Sequence, residues 1–168
     1  MVSCRKPVLG TLVLTASRTS NRVGNVKNHR RDIDVLIVED DPELRRDLAL
    51  SLDEHGFSLE VAADGQEALE RLRHSCRPQL VLLDLSMPRM DGGDVLANME
   101  RHPEWCRLPV VVMTGSIEGV LAYALQLGGV CVLEKPFGTQ ELLAAIQKVM
   151  LSASENQNQS IARGARPR

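Results

Sequence analysis

A chain of 168 residues that is 43% hydrophobic but only 2% aromatic can bury one aliphatic core, and it has little with which to stack nucleic-acid bases. Its formal net charge of −2 is unevenly spread: residues 1–31 carry seven Lys/Arg and no acid, whereas residues 32–151 carry 21 acids against ten bases, a net of −11. An acidic body argues against direct nucleic-acid binding by this domain, and no apolar run approaches the roughly 20 residues of a membrane span.

Residues 1–31 form a basic extension with one short apolar stretch, Val8 to Ala16, preceded by Arg5 and Lys6. That arrangement raises a targeting peptide. Gly10 and Thr11 interrupt the stretch, however, and the extension reads better as a disordered leader or as sequence upstream of the true start. The four cysteines, Cys4, Cys76, Cys106 and Cys131, are scattered without metal-ligand spacing. They are expected to be reduced thiols in a cytoplasmic protein.

From Asp32 the pattern sharpens. Asp34 to Val38 reads as a buried strand that ends directly on Glu39-Asp40-Asp41. Pro42 then opens a helix that Asp41 can cap, with Leu44, Leu48 and Leu52 on one face. His55-Gly56 stops it, and Phe57 to Val61 is a second, more polar strand. Asp64-Gly65 leads into a helix with Ala68, Leu69 and Leu72 inward.

Pro78 precedes a third strand, Leu80 to Leu83, which delivers Asp84. A turn built on Met87-Pro88 and closed by Asp91-Gly92 follows. Asp94 to Arg101 is a helix with Val95, Leu96 and Met99 inward, and His102-Pro103 ends it. Pro109 to Met113 is a fourth strand with Thr114-Gly115-Ser116 at its end. A helix to about Leu127 and Gly128-Gly129 come next, then a fifth strand, Val130 to Leu133, with Glu134-Lys135-Pro136-Phe137 at its end. Thr139 is the expected cap of a last helix with Leu142, Ile146 and Val149 inward. From Ser152 the chain has little to bury, so residues 152–168 are expected to be a disordered polar tail.

Strand and helix alternate five times. That pattern implies a doubly wound parallel sheet with helices on both faces. Crossovers of one hand bring every strand's carboxyl end to one edge. Glu39, Asp40, Asp84, Thr114 and Lys135 therefore converge on one rim. Carboxylates packed together stay ionised only if a cation joins them. Oxygen ligands without His or Cys suit magnesium. Lys135 adds a fixed ammonium and Thr114 a hydroxyl. Such a rim suits a phosphoryl group in transit, with Asp84 as the nucleophile.

Residues 32–151 resemble the response-regulator receiver domains of two-component signalling, CheY-like in fold. The resemblance rests on Glu39-Asp40, on Asp84-Leu-Ser-Met-Pro-Arg-Met-Asp-Gly92, on Thr114 and on Lys135-Pro136-Phe137. It implies a (βα)5 flavodoxin-like sheet in strand order 2-1-3-4-5. Asp84 would accept phosphate from the phosphohistidine of a histidine kinase or phosphotransfer protein. Asp40, Asp84 and the backbone carbonyl of Ser86 would hold Mg2+, with Glu39 reaching it mainly through water. Lys135 and Thr114 would contact the phosphoryl group, and the Lys135–Pro136 bond would be cis. Val132 departs from the pattern, because the family often carries Tyr or Phe there as a switch residue.

No helix-turn-helix or catalytic-domain pattern follows residue 151, so the expectation is either a downstream effector protein as output or a place as a phosphorelay intermediate. The helix opening near Ser116, the fifth strand and the last helix form the expected contact face, for that effector or for a second copy. Glu118, Tyr123, Glu134, Glu141 and Lys148 are its polar handles. Two alternatives stand beside this phosphoacceptor, which is not a classical enzyme. One is a phosphorylation-independent binding module, favoured by Val132. The other is an aspartyl-nucleophile phosphohydrolase, disfavoured because Ser86 stands where a second acid is needed.

Overall fold

Five short aliphatic runs, each ending in polar residues, become five parallel strands of a single sheet. The structure is a computed structural model and describes residues 31–116 and 130–164. The elements are β1 (Arg31–Val38), α1 (Pro42–Glu54), β2 (Leu59–Ala62), α2 (Gly65–His74), β3 (Cys76–Asp84), α3 (Gly92–Arg101), β4 (Val110–Thr114), β5 (Val130–Glu134) and the last helix, α4 (Thr139–Gly164). The sheet order is β2-β1-β3-β4-β5, with every neighbouring pair parallel. This is the flavodoxin-like order that the resemblance implies.

Alternation along the central strands builds two cores. Leu36 and Val38, Val81 and Leu83, and Val110 and Val112 face α2 and α3. Val35 and Ile37, Leu80 and Leu82, and Val111 and Met113 face α1 and α4. A strand buried on both faces cannot alternate apolar with polar residues, which explains its uninterrupted aliphatic reading. Burying each such side chain contributes about 1.5–3 kcal/mol. The helices turn the predicted stripes inward: Leu48 and Leu52 from α1, Ala68, Leu69 and Leu72 from α2, Val95, Leu96 and Met99 from α3, and Leu142, Ile146 and Val149 from α4.

Most element ends shift by one to three residues from the sequence expectation, and three differences are instructive. β3 starts at Cys76, and Pro78 lies inside it. There β3 pairs only with β1, because pairing with β4 begins at Val81. A residue without an N–H is tolerated on such a locally unpaired edge. The cap of α4 is Gly138 rather than Thr139: Glu141 Oε2 accepts from the Gly138 N–H at 2.8 Å, half of a capping box.

The third difference is a correction to the disordered tail expected from Ser152. α4 continues to Gly164. No Pro or Gly interrupts residues 139–163, and a helix already nucleated propagates at one hydrogen bond per residue without needing a buried face. Core burial ends earlier, with Val149 covered and Leu151 53% exposed. The basic extension (residues 1–30), the helix expected up to Leu127 with its Glu118 and Tyr123, and residues 165–168 lie outside the described residues.

Candidate functional site

Register brings the strand ends level. Val38 pairs with Leu83, Asp84 with Met113, and Thr114 with Glu134. The next residues, Glu39 and Lys135, therefore leave the sheet beside Asp84. Glu39 and Asp84 are 1% and 3% exposed, and Thr114 is 4% exposed.

Carboxylate oxygens of Glu39, Asp40 and Asp84 all lie within 4.8 Å of one another. Lys135 Nζ reaches into this group, 2.9 Å from Glu39 Oε2 and 3.2 Å from Asp84 Oδ1. The lysine emerges from the turn after β5, where its own N–H donates to the Thr114 carbonyl at 2.7 Å. The Lys135–Pro136 peptide is cis, as the resemblance implied. Burial pushes the Glu39 carboxyl above its ordinary range, and the neighbouring Asp84 adds to this; Lys135 opposes both without cancelling them. Burial works against the Lys135 ammonium, yet the hydrogen bond to Glu39 and the charges of Asp84 and Glu39 hold its pKa above the usual lysine value.

The loops that carry these groups are fixed locally. Asp41 caps α1 by accepting from the N–H groups of Glu43 and Leu44 at 2.8 and 3.1 Å. Arg45, one turn into the helix, donates back to the carbonyls of Glu39 and Asp40 at 2.6 and 3.1 Å. After β3, the Ser86 N–H donates to Asp84 Oδ1 at 3.3 Å, and the Gly92 N–H donates to the Leu85 carbonyl at 3.1 Å. A Cβ at Gly92 would stand 2.4 Å from the Asp84 carbonyl oxygen, so only glycine allows this approach. Arg89, in the left-handed region at φ 70°, pairs with Asp64 at 2.5 Å and links this loop to the cap of α2.

The predicted rim is thus assembled around Glu39, Asp40, Asp84 and Lys135. Thr114 sits on the same edge, but its hydroxyl donates to the Ser116 carbonyl at 2.9 Å rather than to a carboxylate. Ser86 lies in the turn immediately after Asp84. Gly115 is exposed, and a Cβ there would meet nothing within 4 Å. Sequence reading missed Arg45, because an arginine on a helix surface looks like any solvated charge. The donors are all hard oxygens, with no His or Cys among the three residues, and they fit magnesium better than a softer metal. Among the described residues, no buried side-chain polar atom lacks a partner, and no helix is long and apolar enough to cross a membrane.

An open parallel α/β sheet whose carboxyl rim gathers three acids, a hydroxyl and an ammonium defines a CheY-like protein. Residues 35–147 match the response regulator receiver domain family, and the chain belongs to it. It is 36% identical over 125 residues to the response regulator MprA of Mycobacterium sp. (strain KMS), covering 73% of this chain and 53% of that protein. Identity to the response regulator MprA of Mycobacterium leprae (strain TN) is 38% over 118 residues, covering 69% and 50%. The chain spans about half the length of these relatives. Similar solved structures include the chemotaxis protein CheY4 of Vibrio cholerae, at TM-score 0.64 and 26% identity over 72% of this chain and 99% of that one. A putative response regulator from Chloroflexus aurantiacus has TM-score 0.64 and 29% identity, covering 73% and 99%. NtrX from Brucella abortus has TM-score 0.67 and 27% identity over 76% of this chain, but only 29% of its own.

Proposed function

We propose that this chain is a phosphoacceptor switch: Asp84 takes a phosphoryl group from the phosphohistidine of a histidine kinase or phosphotransfer protein, and the product alters binding to a downstream effector. The observation that carries the reading is Lys135 Nζ bridging Glu39 and Asp84 at 2.9 and 3.2 Å, on the rim where the three acids meet.

An oxygen of Asp84 attacks the phosphorus, the P–N bond breaks, and the departing imidazole keeps the electron pair and takes a proton. Charge on the transferring oxygens is met chiefly by fixed positive groups. Mg2+, when held by Glu39, Asp40, Asp84 and the Ser86 carbonyl, supplies the largest share of that charge. Lys135 supplies a further point, re-aiming from Glu39 toward an oxygen of the new acyl phosphate. Thr114 turns its hydroxyl away from Ser116 toward the same oxygens. That rotation converts a local charge change into movement of the β4 end.

The remaining particulars rest on the same reading. The domain spans residues 32–151, and residues 1–31 are an accessory basic extension. The effector, or a second copy of the chain, meets the face that carries β5 and α4; Glu134 and Lys148 are exposed there. Cys76, Cys106 and Cys131 are in no disulfide, which is in keeping with a cytoplasmic setting. Beside phosphotransfer from the phosphohistidine, its chemistry is self-phosphorylation from a small donor and slow self-hydrolysis.

The test is incubation of the chain with acetyl phosphate and Mg2+, followed by intact-mass measurement. The expected result is a gain of one phosphoryl group, absent from Asp84→Asn and from samples with excess EDTA. No adduct on the wild-type chain, with either acetyl phosphate or a phosphorylated kinase, overturns the reading. Val132, half-buried in β5 opposite Val112, favours a second reading as a phosphorylation-independent binding module. Effector binding unchanged in both Asp84→Asn and Asp84→Glu selects it.

A further inference from the structure

The β1–α1 loop must hold two adjacent acids, Glu39 and Asp40, against their mutual repulsion and against Asp84. The Glu39 carboxylate gives this loop's backbone a single long hydrogen bond. Glu39 Oε2 is engaged by Lys135, and its other oxygen is 3.4 Å from the Asp41 N–H. The backbone is held more closely from α1. Nη1 of Arg45 donates to the Glu39 carbonyl at 2.6 Å and to the Asp40 carbonyl at 3.1 Å. Arg45 is itself half-buried and stands on the turn of α1 that Asp41 caps. A guanidinium is planar, permanently charged and rigid, so one nitrogen shared between two successive carbonyls fixes both peptide planes.

We propose that Arg45 is a positioning residue for the divalent-cation site, acting through the backbone carbonyls of Glu39 and Asp40 rather than by touching the ion. This inference rests on the reading of Glu39, Asp40 and Asp84 as a magnesium site. The direction in which each acid leaves the backbone follows from the planes that Arg45 holds. A loosened loop must order the two acids each time an ion binds, and that ordering weakens affinity. The arginine's charge acts in the opposite sense, because a cation near the site repels Mg2+. Charge repulsion is softened by solvent, whereas loop order is lost in full. Positioning therefore dominates, and losing Arg45 weakens binding. Groups that orient metal ligands from behind have effects of this kind.

The experiment titrates the full chain with Mg2+ by calorimetry, for wild type, Arg45→Ala and Arg45→Lys, with thermal melts in EDTA as a fold control. Arg45→Ala should weaken Mg2+ binding about tenfold while unfolding cooperatively. Arg45→Lys should fall between, since a lone ammonium keeps the charge without the planar geometry. Millimolar guanidinium, far below denaturing levels, should recover part of the affinity of Arg45→Ala and leave wild type unchanged. Arg45→Ala binding as tightly as wild type, or more tightly, overturns the inference and leaves the site reading intact. So does a loss that guanidinium does not recover. A wild-type chain with no affinity for Mg2+ removes the site and the inference together.

Discussion

Lys135 lies nearer to Glu39 than to Asp84, at 2.9 against 3.2 Å, so in this state the ammonium is shared between the residue proposed to receive phosphate and an acid that is not. Both carboxylates are nearly inaccessible to water. Two buried like charges beside one cation make the lysine a stabilising element as well as a chemical one. Removing it strands two charges.

Lys135→Met should therefore lower the thermal midpoint in EDTA, and saturating Mg2+ should recover more of that midpoint in the variant than in wild type. The reason is that the ion replaces the missing positive charge. Thermal melts of both proteins, with and without Mg2+, check this. Equal Mg2+ dependence in the two would mean that the lysine does not neutralise the acids. Phosphorylation of the variant by acetyl phosphate should fall even at saturating Mg2+.

Glu39 gives a pH signature. Its folded pKa is raised above 4.5, first by burial and then by Asp84. A raised carboxyl favours the folded state while it is protonated. That contribution is fully present below the unfolded pKa and is lost as pH climbs through the folded value. Glu39→Gln stays neutral throughout. In metal-free buffer its stability relative to wild type should therefore improve from about pH 4 to pH 7, read by urea unfolding at each pH. A relative stability that does not change with pH would contradict a raised Glu39. Lys135 titrates at the other end: its stabilisation persists below 10.5 and disappears as pH rises through its raised value.

How far the sequence announced this site depends on the kind of signal each residue leaves. Asp84 was legible because a strand buried on both faces must be continuously apolar, so the first carboxylate after Leu80 to Leu83 marks the strand end. Lys135 and Glu39 were legible by the same rule once five strands were counted. Arg45 was not, because its role depends on two carbonyls whose direction no side-chain pattern encodes. The cap at Gly138 was hidden for a similar reason: glycine offers no side chain, and the bond comes from Glu141. The continuation of α4 is not legible, because low apolarity reads as disorder although it implies only the absence of a buried face.

Two glycines that crowd the same loop should differ in cost. A methyl group at Gly92 would meet backbone, the Asp84 carbonyl oxygen at 2.4 Å and the Leu85 Cα at 2.8 Å. At Gly65 it would meet side chains, the Val95 Cγ2 at 2.6 Å and the Met90 Cγ and Sδ at 2.8 and 3.0 Å. Met90 can move to another rotamer, whereas the strand end cannot move without displacing Asp84. Gly92→Ala should destabilise by about 1–3 kcal/mol and slow phosphorylation. Gly65→Ala should cost less stability and leave phosphorylation near wild type. Urea unfolding and acetyl-phosphate labelling rates check both; the reverse order would show that the loop around Gly92 gives way easily.

The lifetime of the aspartyl-phosphate follows from what stands beside it. Hydrolysis needs a water aligned with the acyl phosphate by a nearby acid or amide. The residues two beyond Asp84 and Thr114 are Ser86 and Ser116. Neither side chain offers an acid or an amide, and the Ser116 backbone is occupied with the Thr114 hydroxyl, accepting from it at 2.9 Å and donating to it at 3.2 Å. The phosphorylated chain in Mg2+ should therefore lose phosphate over many minutes, not seconds. Ser86→Asn should shorten that lifetime several-fold by supplying an amide beside Asp84, while Ser86→Ala should leave it unchanged. Intact-mass time courses after removal of acetyl phosphate measure all three. A wild-type adduct gone within seconds would mean that some other group already aligns the water.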